Sequence, residues 1–248
     1  MPTLANLRKE LKSKANSKKA KVLQRFFKTG KGEYGQGDIF LGVVVPEIRK
    51  IAGRYRDLGF GDLRLLLKSK IHEERLAALL ILTNQFQYAM TCHSAEVQGV
   101  VLKHNTQASS KIFKFYLKNT KYINNWDLVD LSAPKIMGDY LLDKNRDILY
   151  KLAKSKNIWE KRIAILATYV FIRKNKFEEI LKISEMLLHD KHDLIHKAVG
   201  WMLREVGKQS QATLEKFLKK NASKMPRTML RYAIERLPEG KRRGYLKI

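Results

Sequence analysis

Residues 155–164 read SKNIWEKRIA, and related stretches elsewhere in the chain indicate a repeat fold. Residues 69–77, SKIHEERLA, match it with one residue fewer, and residues 190–198 carry the same theme from Asp-Lys-His to Lys-Ala. A short pattern that recurs along a chain is typical of repeat proteins.

The spacing of the copies identifies the kind of repeat. Arg162 and Lys197 are 35 residues apart, Asp127 precedes Arg162 by 35, and Arg231 follows Lys197 by 34. A period near 35 built from paired amphipathic helices is typical of α-solenoids of the HEAT or TPR type. The TPR consensus does not fit. The sequence therefore predicts an all-α, right-handed solenoid of HEAT-like repeats in which recurring positions, Arg75 included, line one concave basic face.

The rest of the chain fits one helical domain over residues 1–248. Apolar residues at helical spacing predict basic N-terminal helices within 1–29, a glycine-rich loop at 30–38 and helical repeats over 46–238. Ser17 and Asp62 are predicted to cap helices, and Pro46 to open one. Strand signals are nearly absent.

The excess of basic residues indicates which kind of partner the protein binds. The 50 Lys and Arg outnumber the 24 Asp and Glu, which gives a formal net charge of +26. Such an excess favours a polyanionic partner, most often nucleic acid, over a merely solubilising surface or an anionic membrane. The single Cys92 forms no internal disulfide, and neither a signal peptide nor a transmembrane run is evident, so we expect a cytoplasmic protein that associates with the nucleoid when bound to DNA.

Two groups of residues are candidates for a site. In NNWDLVD (124–130), Trp126 and Asp130 are one helical turn apart, and Lys197, Trp201 and Arg204 share a second helical face. From the residues alone, purely structural roles are also compatible with these patterns. Asp130 could pair with a nearby Lys or Arg, and the tryptophans could be core residues.

Other polar residues favour structural roles. Arg162 could pair with Glu160, and Asp127 is expected to cap its helix or to face solvent. Three histidines, His189, His192 and His196, lack cysteine partners and straddle a predicted turn, so we expect no metal site.

Three motifs taken together resemble a known family. The runs NWDLVD (125–130), IWEKR (158–162) and KAVGWMLRE (197–205), with FLGV (40–43) and Pro46-Glu47 before them, are similar to the DNA alkylation repair proteins of the AlkD type. The similarity extends over residues 20–235, nearly the whole chain.

This resemblance implies a HEAT-like solenoid and a monofunctional DNA glycosylase that excises N3- or N7-alkylated purines without a cofactor. It implies that Asp130 is the catalytic carboxylate, that Trp126 and Trp201 contact the lesion sugar and backbone, and that Arg162 and Arg204 bind the DNA backbone. The expected partner is double-stranded DNA with alkylated purines, bound by a monomer.

The chain departs from the family pattern at three positions. Phe26 stands about where the family has a tyrosine, and Asn125 stands where a relative has a second tryptophan. A family lysine falls near Val170, for which Arg173 and Lys174 are close enough to substitute, and Lys197 joins Arg173 as an expected backbone contact. The rival hypotheses are a non-catalytic HEAT-repeat protein that binds nucleic acid structure and a HEAT protein–protein scaffold.

Overall fold

The structure is a computed structural model, and it describes residues 2–91 and 104–247. This part of the chain is α-helical and contains no strand, only a bridge between Ile39 and Ile71. The all-α prediction is confirmed. Cys92 and most of a helix predicted over 91–104 lie outside the described residues, within which no helix is long and apolar enough to cross a bilayer.

The chain divides into two compact units, residues 1–132 and 133–248. The helices of the first unit are α1 (Leu4–Ser13), α2 (Ser17–Phe26), α3 (Val45–Arg54), α4 (Phe60–Leu67), α5 (His72–Thr91), α6 (His104–Lys118) and α7 (Trp126–Ala133, whose last residue belongs to the second unit), with a 3-10 turn at Thr120–Tyr122. Helix α5 is central because it packs against α1, α3, α4 and α6. It is buried on every side from 72 to 83, as expected of a helix inside a core.

The second unit begins with a π-helical turn at Pro134–Gly138. Its helices are α8 (Asp139–Leu141), α9 (Asp147–Ala153), α10 (Ile158–Ala167), α11 (Tyr169–Arg173), α12 (Glu178–Leu187), α13 (Asp193–Gln209), α14 (Gln211–Asn221), α15 (Arg227–Ala233) and α16 (Glu239–Leu246), with a 3-10 turn at Ala222–Lys224. Helices α10, α13 and α15 pack side by side in one row, and α9 packs on α12 in another. Two rows of equivalent helices are the arrangement of a helical repeat, as the 35-residue period predicts. The handedness and the concave face stay predictions.

Close packing within the α10–α13–α15 row depends on small residues. Gly200 of α13 faces α15, where an added Cβ would lie 2.5 Å from the Met229 carbonyl oxygen and 2.5 Å from Tyr232 Cβ. Any larger residue at this position must therefore push α13 and α15 apart.

Two predicted helix caps are wrong. Asn16, not Ser17, caps α2, because its Oδ1 accepts a hydrogen bond from the Lys19 amide at 3.0 Å. Asp62 lies inside the first turn of α4, and Gly59 holds the cap position. Both errors are one-turn or one-residue shifts, for which residue preference alone gives no decision.

Gly42 shows why the FLGV segment needs a glycine. Its φ is +84°, and an added Cβ would lie 2.2 Å from the Asn16 carbonyl oxygen and 2.7 Å from the Ala20 amide nitrogen. The segment is tied to the start of α2 by a hydrogen bond from the Asn16 amide to the Leu41 carbonyl. Only a residue without Cβ allows this close approach.

Candidate active site

Helix α7 begins at Trp126 because side chains occupy its first amides. Asn125 is fully buried, and its Oδ1 accepts a hydrogen bond from the Trp126 amide at 2.8 Å. Asp127 Oδ1 accepts one from the Leu128 amide at the same distance. The first turn of a helix has amides without intrahelical partners, and these two oxygens satisfy two of them.

The two faces of α7 have different surroundings. Leu128 and Val129 are fully buried and fix the helix in the core, whereas Trp126 and Asp130 are only half-buried. Asp130 is therefore not fully enclosed in the core. Trp126 and Asp130 share one partly accessible face, as their spacing predicts.

A tyrosine close to Asp130 is held in its neutral form. Burial raises the pKa of Tyr116; its hydrogen bond with Ser132 acts in the opposite direction, and the negative charge of Asp130 raises it further. The Tyr116 hydroxyl lies 2.9 Å from Ser132 Oγ in the core. The region behind Asp130 is thus polar but uncharged.

Trp126 packs on a cluster of aromatic rings. Its ring stacks on Phe27 at 5.0 Å between centroids, Phe27 stacks on Phe40 at 5.0 Å, and Phe40 stacks on His72 at 4.4 Å. Phe26, 62% exposed, meets the Trp126 ring edge-on at 5.8 Å. Offset aromatic contacts fix ring orientation, so the cluster holds the indole in place.

A buried network of charged groups fixes His72 within this cluster. His72 Nε2 lies 2.8 Å from Asp127 Oδ2 and His72 Nδ1 lies 3.1 Å from Asp38 Oδ2, while Arg75 Nη2 pairs with the same Asp38 oxygen. All four residues are at most 6% exposed. Arg75 is therefore buried and does not lie on a basic surface. Asp127 was expected to cap its helix or to face solvent. One of its oxygens binds the Leu128 amide, and the other binds His72.

The pKa directions agree with a charged network. Burial alone lowers the pKa of His72 and Arg75 also opposes protonation, but hydrogen bonds to Asp127 and Asp38 raise it overall. Burial alone raises the pKa of Asp38, but the His72 hydrogen bond and Arg75 lower it overall. A protonated His72 with Arg75 balances the two carboxylates. Sequence reasoning missed this network, because no spacing signal connects 38, 72 and 127.

The first turn of α5 holds the neighbouring segments as well. Glu73 is 1% exposed and accepts hydrogen bonds from three successive amides, those of Leu41, Gly42 and Val43, at 2.8–3.2 Å. Glu74 accepts one from Arg8 Nε at 3.1 Å. The run His-Glu-Glu-Arg therefore joins α1, the FLGV segment and α7 to α5.

Arg162, the first predicted backbone-binding residue of the second unit, is largely buried. It is 5% exposed, and its Nη1 donates a hydrogen bond to the Leu194 carbonyl at 2.7 Å. This bond connects α10 to the start of α13. The side chain thus has a structural contact whatever else it binds.

The predicted face of α13 forms as the spacing requires, and carboxylates hold its members. Lys197 Nζ lies 2.6 Å from Asp193 Oδ2, and Trp201 Nε1 donates a hydrogen bond to Glu205 Oε1 at 3.2 Å. Trp201 is half-buried, so part of the indole is accessible. The carboxylates of Asp193 and Glu205 were not predicted as partners.

Arg204 is held by a carboxylate from the turn that follows α15. Its Nη1 donates to Glu235 Oε2, while its Nε is 3.7 Å from Glu205 Oε1, too far for a hydrogen bond. Arg173, at the end of α11, is exposed. The backbone-binding roles of Arg162, Arg173, Lys197 and Arg204 stay predictions.

The structure thus forms two separate groups of predicted site residues. Trp126 and Asp130 share a face in the first unit, and Lys197, Trp201 and Arg204 share a face in the second. That these groups meet on one surface stays a prediction.

Two of the three histidines considered as metal ligands have other partners. His192 Nδ1 accepts a hydrogen bond from the Leu194 amide at 3.2 Å, and His196 Nε2 pairs with the Asp190 carbonyl. Over residues 2–91 and 104–247, no group of three His, Cys, Asp or Glu side chains is placed to hold a metal ion.

Comparisons with known proteins agree with the resemblance. A family model described as "DNA alkylation repair enzyme" matches residues 7–237. A solved structure described as a "Predicted DNA alkylation repair enzyme from Enterococcus faecalis" superposes with a TM-score of 0.65 at 16% identity, covering 91% of this chain and 98% of that chain. This likeness shows the shared fold. No curated protein matches the sequence.

Proposed function

Because the chain belongs to the DNA alkylation repair enzyme family, we propose that it acts in DNA repair as a monofunctional glycosylase. Its substrates are purines alkylated at N3 or N7 in double-stranded DNA, and it hydrolyses their N-glycosidic bond. No cofactor is required. The family membership supports the DNA repair role, and the glycosylase chemistry is our inference from the site.

The placement of Asp130 carries this proposal. It is a carboxylate in a chain of net charge +26, half-buried on the face of α7 that also presents Trp126, and Leu128 and Val129 anchor the opposite face. A fixed anion within a strongly basic protein is suited to a substrate whose positive charge develops at one atom.

The lesion itself supplies part of the activation. Alkylation at N3 or N7 makes the purine cationic, so that when the C1′–N bond breaks its electron pair neutralises the leaving base. The sugar becomes oxocarbenium-like, and the Asp130 carboxylate stabilises that growing charge. Water then attacks C1′ and loses a proton, with Asp130 positioned to accept it. Glycosidases need a second, protonated carboxyl to activate a neutral leaving group, and here one suffices.

The tryptophans and cations complete the site. We infer that Trp126 and Trp201 pack on the deoxyribose, where the ring faces stabilise a cation by about 0.5–2 kcal/mol each. Arg162, Arg173, Lys197 and Arg204 would bind the phosphates on either side. Gripping the backbone allows the lesion to remain stacked, unlike the base-flipping mode of most glycosylases.

The test is excision of methylated bases from duplex DNA. Asp130→Asn keeps the shape of the side chain but removes its charge, so we expect excision to fall by at least a hundredfold, as when one electrostatic stabiliser of a transition state is removed. Asp143→Asn is the matched control, because Asp143 is 80% exposed and pairs only with Lys176 within the described residues. It should excise like wild type.

The same pair of variants separates the rival hypothesis. A non-catalytic protein that binds nucleic acid structure would bind DNA and release no base, with wild type and Asp130→Asn equal in both assays. Equal release by wild type and Asp130→Asn would also refute the assigned role of Asp130. We expect the protein to act as a cytoplasmic monomer.

A further inference from the structure

A recess lies at the end of the second unit, beside the predicted backbone-binding Arg204. It has a volume of about 360 Å³ and is lined by Arg231, Ile234, Glu235, Arg242 and Leu246. Helices α15 and α16 form its walls. Two of the five lining side chains are guanidiniums.

Neither of these guanidiniums is neutralised inside the protein. Within the part of the chain that the structure describes, Arg231 and Arg242 have no ion pair and no side-chain hydrogen bond. Both side chains are exposed. Their charges are therefore available to an external anion.

Glu235, the carboxylate in the recess, is accessible to solvent and lies close to two arginines. Glu235 accepts from Arg204 Nη1, lies 4.0 Å from Arg236 Nε and has a side chain that is 47% exposed. The Nε of Arg204 is buried without any hydrogen-bond partner in the described residues. Because a buried donor without an acceptor is unfavourable, the contact with Glu235 leaves the hydrogen-bonding capacity of the Arg204 guanidinium incompletely used.

We propose that this recess binds a DNA backbone phosphate through Arg231 and Arg242, and that Glu235 holds Arg204 in the absence of DNA and yields it to a phosphate on binding. The identity of the ligand as DNA rests on the proposed function. All the residues that line the recess belong to the second unit, whereas Asp130 and Trp126 belong to the first.

The chemistry of the lining favours a phosphodiester. Guanidiniums bind phosphate oxygens through paired N–H donors, and two arginines and one carboxylate line the recess. The Arg204–Glu235 pair is partly exposed, so exchanging Glu235 for a phosphate costs little free energy. Helix α16 begins at Glu239, beyond the residues 7–237 that the family model matches. Arg242 therefore lies outside that match.

The salt dependence of binding to undamaged duplex DNA tests the site without any catalysis. Replacing Arg231 and Arg242 together by alanine should flatten the slope of log K against log salt by about 0.9, the value for one phosphate contact, and weaken binding about fivefold near 0.15 M salt. Lys216→Ala with Lys219→Ala on α14 is the control, because it also removes two exposed charges that have no ion pair within the described residues. The control slope should stay near that of wild type.

A single substitution tests the exchange at Arg204. Glu235→Gln should tighten DNA binding several-fold and steepen the slope, whereas Glu178→Gln, an exposed Glu paired with Lys182, should change neither. If the salt slope of the arginine double variant equals that of the lysine double variant, or if DNA binding by Glu235→Gln equals that by Glu178→Gln, the recess does not bind DNA. Circular dichroism establishes that each variant is folded.

These measurements and the excision assay fail independently. If the arginine double variant flattens the salt slope but Asp130→Asn still releases bases like wild type, the recess binds DNA and the glycosylase mechanism is refuted. If Asp130→Asn loses base release but the slope of the arginine double variant is unchanged, the mechanism is supported and the recess does not bind DNA.

Discussion

Replacing His72 by phenylalanine removes both hydrogen bonds of the imidazole and keeps an aromatic ring of similar size. The ring of His72 stacks on Phe40 at 4.4 Å and lies 5.1 Å from Phe27. A phenyl ring can occupy that position. The substitution therefore separates the polar role of His72 from its packing.

The cost follows from the burial of the groups left behind. His72, Asp38 and Asp127 are 2%, 5% and 6% exposed. After the substitution Asp38 retains Arg75, but Asp127 Oδ2 loses its 2.8 Å partner. Breaking a buried ion pair from one side costs about 3–5 kcal/mol, because an uncompensated charge remains. We expect the free energy of unfolding to fall by that amount near pH 6.

The pH dependence has a defined sign. Since the pKa of His72 in the folded protein lies above the usual 6.5, its stabilisation is fully present below about pH 6.5 and is lost as pH rises through the folded-state value. The pKa of Asp38 is lowered from 3.8, so its contribution is lost only in acid, as pH falls through its folded-state value. The difference between wild type and His72→Phe should therefore be largest near pH 6 and narrow toward pH 9.

Urea unfolding followed by far-UV circular dichroism measures both effects, provided that the slope m is unchanged. His189→Phe, the same substitution at an exposed histidine, is the control and should match wild type at each pH. A loss below about 1 kcal/mol at pH 6, or a difference that stays constant up to pH 9, would refute the charged network.

The remaining predictions concern glycines, each with a matched control. Positive-φ strain in a residue other than glycine costs about 1–3 kcal/mol. Gly42→Ala should destabilise the protein by more than this, because its Cβ also meets the backbone at the start of α2. Gly32→Ala, at φ +79° with nothing within 4 Å, should show the strain alone. Gly200→Ala should cost about 1–3 kcal/mol by overpacking against the Met229 carbonyl, and Gly207→Ala should cost less, because its Cβ meets only the flexible end of a leucine. Urea midpoints measure all four, and equal losses within either pair would contradict the packing argument.

Local pattern was sufficient for the helices and for the faces they present. The 3.6-residue period predicts that Trp126 and Asp130 share a face, and the structure places both half-buried beside fully buried Leu128 and Val129. Likewise, residues 35 apart fall on α10 and α13, which pack side by side. These inferences depend on neighbours within a few turns or on a repeat, and both are present in the order of residues.

Pairings between distant residues did not follow from pattern. The bonds from His72 to Asp38 and Asp127 span 34 and 55 residues, and Arg204 reaches Glu235 across 31. Many carboxylates are available to each cation in a sequence, and only the packing of helices selects one.

An all-α chain, its basic charge, its family and the position of Asp130 one turn from Trp126 all follow from the order of residues. Helix packing was needed to show that Arg75 is buried in a network with His72, that Arg162 is bonded to the Leu194 carbonyl, and that Glu235 holds Arg204 beside a basic recess. Periodicity fixes which side of a helix a residue occupies, whereas burial and ion pairing depend on what the fold brings against that side.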